Sequence, residues 1–221
     1  MRMLEKQGYH LLSLIILLSG VYFTARGDIL EGAYWGLTTR TWLLLSVLIP
    51  VLHQVYVVII WRAELHYQIW SSWFGSRAFF LYGLGFMILF LARPVFIFGL
   101  AIANRGTVPL PGWLGILLAI LCLPPVFYLG YSVLKYFGIE RALGMDHFQP
   151  QKYRAMPFVK MGIFRWSSSP MYLYGFLLMW VPGLLFLSKA ALFSALFSHL
   201  YIWVHYYFTE YPDMKFIYQF K

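Results

Sequence analysis

The chain has 221 residues, of which 61% are hydrophobic and 11% charged, against roughly 45–50% and about 25% in an average soluble domain. A soluble domain of this length has no interior for so much apolar surface, which excludes a disordered chain, a collagen and an ordinary cytosolic enzyme. The net charge of +9, from 17 Lys and Arg, then reads as cytoplasmic loops facing lipid head groups rather than as a nucleic-acid surface.

The apolar residues fall into runs near membrane length, so the composition predicts an all-α integral membrane protein. The first run is Tyr9 to Thr24, preceded by Arg2 and Lys6. It resembles a signal peptide, but no small-residue cleavage site follows; Arg26, Asp28 and Glu31 do, so a short first span is the better reading. The second run, Thr41 to Trp61, contains Pro50, His53 and Gln54, and Pro50 is expected to kink it. The third, Ala78 to Ala103, contains Arg93-Pro94, and the fourth, Gly112 to Phe137, contains Pro124-Pro125 and the single cysteine, Cys122. One cysteine forms no internal disulfide, and inside an apolar run it reads as a small core residue. Met171 to Leu187 and Ala190 to Phe208 are separated only by Ser188-Lys189, which predicts a tight antiparallel hairpin. That makes about six spans; Arg93-Pro94 splitting the third run, or a re-entrant first or fifth, would change the number by one.

With six spans both termini share a side. That side then holds Arg2, Lys6, Arg62, Arg77, Lys135, Arg141, Lys152, Arg154, Lys160, Arg165, Lys215 and Lys221, and the other holds Arg26, Arg40, Arg105 and Lys189. Twelve basic residues against four predict cytoplasmic N and C termini. The segment Gly138 to Pro170, with GMDHFQPQKYRAMP, is the one long polar stretch and reads as a cytosolic loop of functional length. Together with the tail TEYPDMKFIYQFK it converges on the last hairpin, which points to a site there.

Glu210 directly follows the sixth span, either as a solvated helix end or as an anchor for a cationic ligand group. His205 and Thr209 share its region, and His199 and His205 read either as interhelical hydrogen-bonding groups or as site lining. The histidines at 10, 53, 66, 147, 199 and 205 show no metal-ligand spacing, and no metal is expected. There is no Walker loop and no strand-borne GxGxxG; Gly83-Leu84-Gly85 reads as helix packing. Ser167-Ser168-Ser169 before Pro170 is a helix start, with Ser at the cap and Pro in the first turn. The same end, with Arg165 one turn upstream, offers an anion site. Glu210 for an ammonium and this end for a carboxylate would together hold a zwitterionic amino-acid group.

The string GIFRWSSSPMYLYG (Gly162 to Gly175), a helical hairpin and TEYPDMKFIY (Thr209 to Tyr218), with Arg141-Ala-Leu-Gly144 upstream, resembles the membrane-embedded phospholipid and isoprenylcysteine methyltransferase superfamily over about residues 130–221. The resemblance implies S-adenosylmethionine as cofactor, bound between the hairpin and the C-terminal segment, and a lipid-borne acceptor at the cytoplasmic face. Pro170, Met171 and Tyr172 match the family's P-x-Y core and Glu210 the first residue of its acidic pair. Ser168-Ser169 stands where many members have Arg-His, Tyr211 where the second Glu is usual, and Gly175 one place later than the family glycine; Asp213, further out, is a partial substitute for the missing acid.

The resulting expectation is an S-adenosylmethionine-dependent membrane methyltransferase with a lipid or lipid-modified acceptor and no nucleic-acid partner. Residues 1–111 are N-terminal transmembrane helices of unrecognised role, and 112–221 are the methyltransferase-like core. Arg165, Ser169, Pro170, Met171, Tyr172 and Glu210 are the expected cofactor ligands, and His205 the candidate base. The rivals are a non-catalytic binding or assembly protein that keeps the fold and a membrane reductase of the steroid-reductase type. Single-cysteine labelling tests the topology: a cysteine at position 152 should react only from the cytoplasmic side and one at 105 only from the other, and labelling of 152 from outside inverts the arrangement.

Overall fold

The computed structural model describes residues 2–219, so Lys221, counted above for topology, lies outside the described residues. After a 3₁₀ turn at Arg2–Leu4 come α1 (Gln7–Thr24), a two-stranded hairpin β1 (Ala33–Tyr34) and β2 (Leu37–Thr38), and α2 (Thr39–Tyr67). Next are α3 (Ile69–Phe74), α4 (Ala78–Ala103) and α5 (Gly112–Ser132), which continues as a π turn, Val133–Phe137. The polar segment forms α6 (Ile139–Ala142), α7 (Met145–Phe148), α8 (Pro150–Arg154) and a 3₁₀ turn, Gly162–Arg165. The last part is a π turn at Met171–Gly175, α9 (Leu177–Leu185), α10 (Lys189–His205), a π turn at Tyr206–Glu210 and α11 (Tyr211–Tyr218).

The fold is all-α, and four helical stretches are long and apolar enough to cross a membrane: 7–24, 39–67, 69–103 and 112–137. Pro50, Pro94, Pro124, Pro125 and Pro182 all lie inside helices, as neighbouring helices in a bundle permit. Arg93-Pro94 therefore does not divide α4. The segment 138–170 is not a plain loop: its short helices draw their missing order from packing under α2 and α11, which local polarity does not reveal. The turn between β1 and β2 places Trp35 at φ 52 and Gly36 at φ 72, the left-handed pair a two-residue hairpin requires.

Large apolar side chains such as Ile16, Leu44, Ile59, Phe80 and Leu121 are exposed on the outer faces, where a bilayer and not water is the solvent. The interior is a cluster of Trp42, Leu43, Val47, Ile97, Leu100, Met179, Ala191, Ala195 and Tyr201 from α2, α4, α9 and α10. Small residues set the spacing. A Cβ on Gly99 would fall 2.5 Å from the Trp42 ring, and one on Gly85 2.4 Å from the Tyr56 hydroxyl. Of the Gly83-Leu84-Gly85 pair only Gly85 serves packing, because Gly83 faces open space.

Two polar knots close the ends. At one end Gln7 Nε2 donates to the Phe208 carbonyl (3.1 Å) and to Thr209 Oγ1 (3.2 Å), tying the start of α1 to the end of α10. At the other, Asn104 just past α4 donates to the carbonyls of Asp28 (2.8 Å) and Glu31 (3.0 Å). Its Oδ1 accepts from Ser188 Oγ (3.1 Å), Ala190 N (2.9 Å) and Thr107 Oγ1 (2.9 Å). Ser188 in turn caps α10 by accepting from Ala191 N at 3.1 Å, and Lys189 pairs with Asp28. The expected hairpin of α9 and α10 is thus present and bolted at its tip.

Asn104→Leu would orphan the buried Ala190 amide and remove one donor each from the Asp28 and Glu31 carbonyls, an orphaned buried group costing about 1–3 kcal/mol. Chemical unfolding in detergent should show a loss of at least about 2 kcal/mol, while Gly83→Ala stays within about 0.5 kcal/mol of the parent. Equal stability of both variants would remove the knot's structural role.

Candidate active site

At the end where both termini lie, one cavity opens between α2, the α5 π turn, α6–α7, the start of the hairpin and α11. Its free interior is about 90 Å³ and opens to solvent on one side, smaller than the roughly 300–1,000 Å³ usual for small-molecule sites, so a ligand of that size must widen it or extend through the mouth. Each of the three π turns contributes to its wall: Phe137 from the first, Met171 and Tyr172 from the second, Tyr206 and Glu210 from the third. A π turn inserts one extra residue into a helix and redirects the side chains beyond it, and such turns recur at functional sites. Gly175 ends the second π turn, where a Cβ would lie 3.0 Å from Leu129.

The glycines of the upstream motifs have physical reasons. Gly144 has φ +90°, and a Cβ there would lie 2.4 Å from the Trp61 indole. Gly162, φ +61°, sits against Ser132, whose Oγ receives the Ile163 amide at 3.0 Å. This docking stacks Phe164 on Phe137 (4.8 Å, 7°), so both rings form one cavity wall.

Of the residues read from sequence, Ser169, Met171, Tyr172 and Glu210 line this one cavity. Pro170 lies between them, buried, outside the lining. The helix starts at Pro170 as expected, but no side chain caps it: the Ser169 carbonyl accepts from the Tyr172 and Leu173 amides, both at 3.2 Å. Arg165 is exposed and is not among the lining residues. His205 is buried beside Trp61 (5.9 Å between rings) and His10 (6.0 Å), behind the wall rather than in it. His199 accepts from Trp180 Nε1 at 3.2 Å, an interhelical bond away from the cavity.

Glu210 is half-buried and accepts a hydrogen bond from the Tyr172 hydroxyl. Burial, reinforced by the Asp146 and Asp213 carboxylates and opposed by His147, raises its carboxyl to about 8. Next to it runs a chain of charges that the sequence reading passed over. Asp146 bonds His147 Nδ1 at 2.9 Å and accepts from Tyr218 at 3.1 Å, and Arg141 donates to the same Tyr218 hydroxyl at 3.1 Å. Burial lowers the His147 imidazole, but Asp146 and Asp213 outweigh it and hold it up at about 9. The protonated ring stacks on Trp61 at 4.0 Å, a favourable cation–π arrangement.

Asp213 is not the outlying acid expected. It is 4% exposed and pairs with the wholly buried Arg62 through Nε and Nη2, both at 3.2 Å. Arg62 Nη1 also holds the carbonyls of Met3 (2.9 Å) and Glu5 (2.8 Å). The Arg62 partnership was invisible because the two residues stand 151 positions apart. The short spacing of Asp146 to His147 gave no motif. Arg141 and Gly144 had at least the upstream family string as a signal. The missing second Glu is Tyr211, whose ring packs tilted against Tyr206 (5.9 Å, 46°) outside the lining.

The site and bundle define a helical membrane protein with a ligand cavity at one polar end of its last hairpin. Residues 113–221, just under half of the chain, match the family model for phospholipid methyltransferase, so this part of the chain is similar to that family of membrane proteins. No curated protein and no solved structure gives a significant match.

Breaking a buried ion pair from one side leaves an uncompensated charge and costs about 3–5 kcal/mol. Asp213→Asn should therefore lose about that much unfolding free energy, and the double change Arg62→Met with Asp213→Leu should lose less. A fully stable Asp213→Asn protein would show that the pair is not what joins these segments.

Proposed function

We propose that the protein transfers a methyl group from S-adenosylmethionine to a lipid-like, membrane-borne acceptor at the cytoplasmic face. The observation that carries this reading is the convergence of Tyr172 and Glu210, 38 positions apart, in one aromatic-lined cavity inside the domain that matches the methyltransferase family.

The cavity residues fit the cofactor's chemistry. Glu210 offers a carboxylate to its ammonium, with Tyr172 orienting that carboxylate. Ser168 and Ser169 supply hydroxyls on the same wall. The faces of Trp61, Tyr172 and Tyr206 suit a sulfonium cation and an adenine ring. When bound, the cofactor supplies an activated methyl, so the protein's share is positioning and exclusion of water. Pro170 and Met171 set the turn that presents Tyr172. Arg165, exposed, is left for the membrane surface, and nothing in this reading requires His205.

A reductase would need several cations for the phosphates of a nicotinamide cofactor. Arg141 is the one Lys or Arg in the lining, beside the acids Asp146 and Glu210. The acceptor would enter from the bilayer, past the exposed Leu134, Ile139, Met156 and Trp166 around the mouth. The twelve-to-four charge bias supports cytoplasmic termini on the cavity side.

Calorimetric titration of the detergent-solubilised protein should give binding of S-adenosylhomocysteine and none of NADPH. Glu210→Gln should weaken that binding about 10- to 150-fold, the worth of a charge-assisted bond of about 1.5–3 kcal/mol. Because the free Glu210 carboxyl titrates near 8 and must ionise to meet an ammonium, binding below that pH releases a proton. Affinity should thus rise from pH 6 to 8 in the parent and stay flat in Glu210→Gln. Binding of NADPH alone, or an unaltered affinity in Glu210→Gln, sinks the assignment.

A further inference from the structure

In the middle of the bundle, well below this cavity, is a second polar cluster that the proposed reaction does not use. Arg93 on α4 is 4% exposed, and its Nε and Nη2 have no hydrogen-bond partner among the described residues. His53 on α2 is 3% exposed with both ring nitrogens unpartnered, and Ser198 on α10 is 1% exposed with its hydroxyl unpartnered. Helix register brings them within about one and a half turns of one another. Gly99 meets Trp42 and Gly85 meets Tyr56 in the antiparallel pair α2 and α4, which sets Arg93 against position 48. Ser46 bonds Ser194 at 2.9 Å between α2 and α10, which sets His53 against position 201 of α10. Side chains lean toward a helix's N-terminus, so the Arg93 guanidinium reaches from its own level toward His53, Ser198 and Tyr201. It stands 5.8 Å over the Phe176 ring, and His53 and Tyr201 are within its electrostatic reach. No carboxylate pairs with it among the described residues.

A cation buried at membrane depth without a counter-ion is costly and marks a functional site. Each of the groups around it can donate: the His53 imidazole from one ring nitrogen and Ser198 from its hydroxyl. The free Nε and Nη2 form the side-on edge of the guanidinium, the edge that takes two oxygens of one carboxylate or phosphate in parallel. Pro50, one turn before His53 and itself buried, removes a backbone bond at this depth and loosens α2 beside the cluster.

We propose that Arg93, His53 and Ser198 form a second, intramembrane site for a single oxyanion of the carboxylate or phosphate class, held bidentately by Arg93. By helix rise the site lies about 13 Å from Glu210, nine residues along from Tyr201, and it does not depend on the methyltransferase reading. Two sources supply such a group: the head of an amphiphile entering between helices, or a small soluble anion.

The test is thermal unfolding of the detergent-solubilised full chain with sodium oleate or inorganic phosphate added, in a Tris chloride buffer free of other carboxylates and phosphates. The Arg93→Gln and Arg93→Lys variants are run beside the parent. Stabilisation of the parent by oleate alone assigns a lipid-borne source, and by phosphate alone a soluble one. Either apparent affinity should fall about tenfold or more in both variants, because Lys keeps the charge but not the fork. If a variant does not fold, Ser198→Ala, which leaves the bundle's charges intact, should still weaken the response severalfold. No stabilisation of the parent by either anion, or an equal response in Arg93→Lys, overturns the proposal.

Discussion

The polar end of this protein depends on the pair formed by Arg62 and Asp213. Arg62 lies in the last two turns of α2, Asp213 in the first turn of α11, and the same guanidinium holds the chain before α1 through Met3 and Glu5. A buried pair of this kind adds little net stability over apolar packing. What it does is exclude other arrangements, because any register that separates the two leaves a bare charge inside the protein. The floor of the cavity is therefore assembled from segments at both ends of the sequence.

On that floor the charges are placed in compensating order. Asp146 and Asp213 flank His147, which stays protonated between them, and Arg141 reaches Asp146 through the Tyr218 hydroxyl. With those acids already engaged, Glu210 is left facing the cavity with Tyr172 as its neighbour, in surroundings that favour its proton. A cationic ligand reverses that preference. The π turns complete the design: three helices that would otherwise run smoothly past the site each turn one or two side chains into it.

The opposite end and the middle follow the same rule of satisfying polar groups, with different outcomes. Asn104 uses both its amide nitrogen and its oxygen fully, and the knot around it is closed. Arg93 and His53 are equally buried and not satisfied. A structural polar cluster has no reason to keep its donors free, and that contrast is what separates a bolt from a binding site.

Much of the architecture was readable from hydropathy, because a bilayer imposes length and apolarity on each crossing: α4 begins and ends where its run does, and Ser188-Lys189 is the hairpin tip. The motif around Pro170 to Tyr172 and the acid at 210 also stood out, since a carboxylate at the end of an apolar run and a Ser-Pro helix start are local features. Asp213, Asp146 and His147 did not, because ion pairing and burial are properties of distance in space. Asp213 looked peripheral by its place in the tail and proved central once α11 folded back on α2. The short helices of 138–170 were hidden likewise, since a few polar residues acquire helical order only by packing. Composition alone determined that this chain lives in a membrane and how its long helices are cut. Which polar residues face one another, and so which acid can meet a ligand and which is consumed in holding the fold, was decided only by tertiary structure, because it depends on contacts between segments that no local pattern encodes.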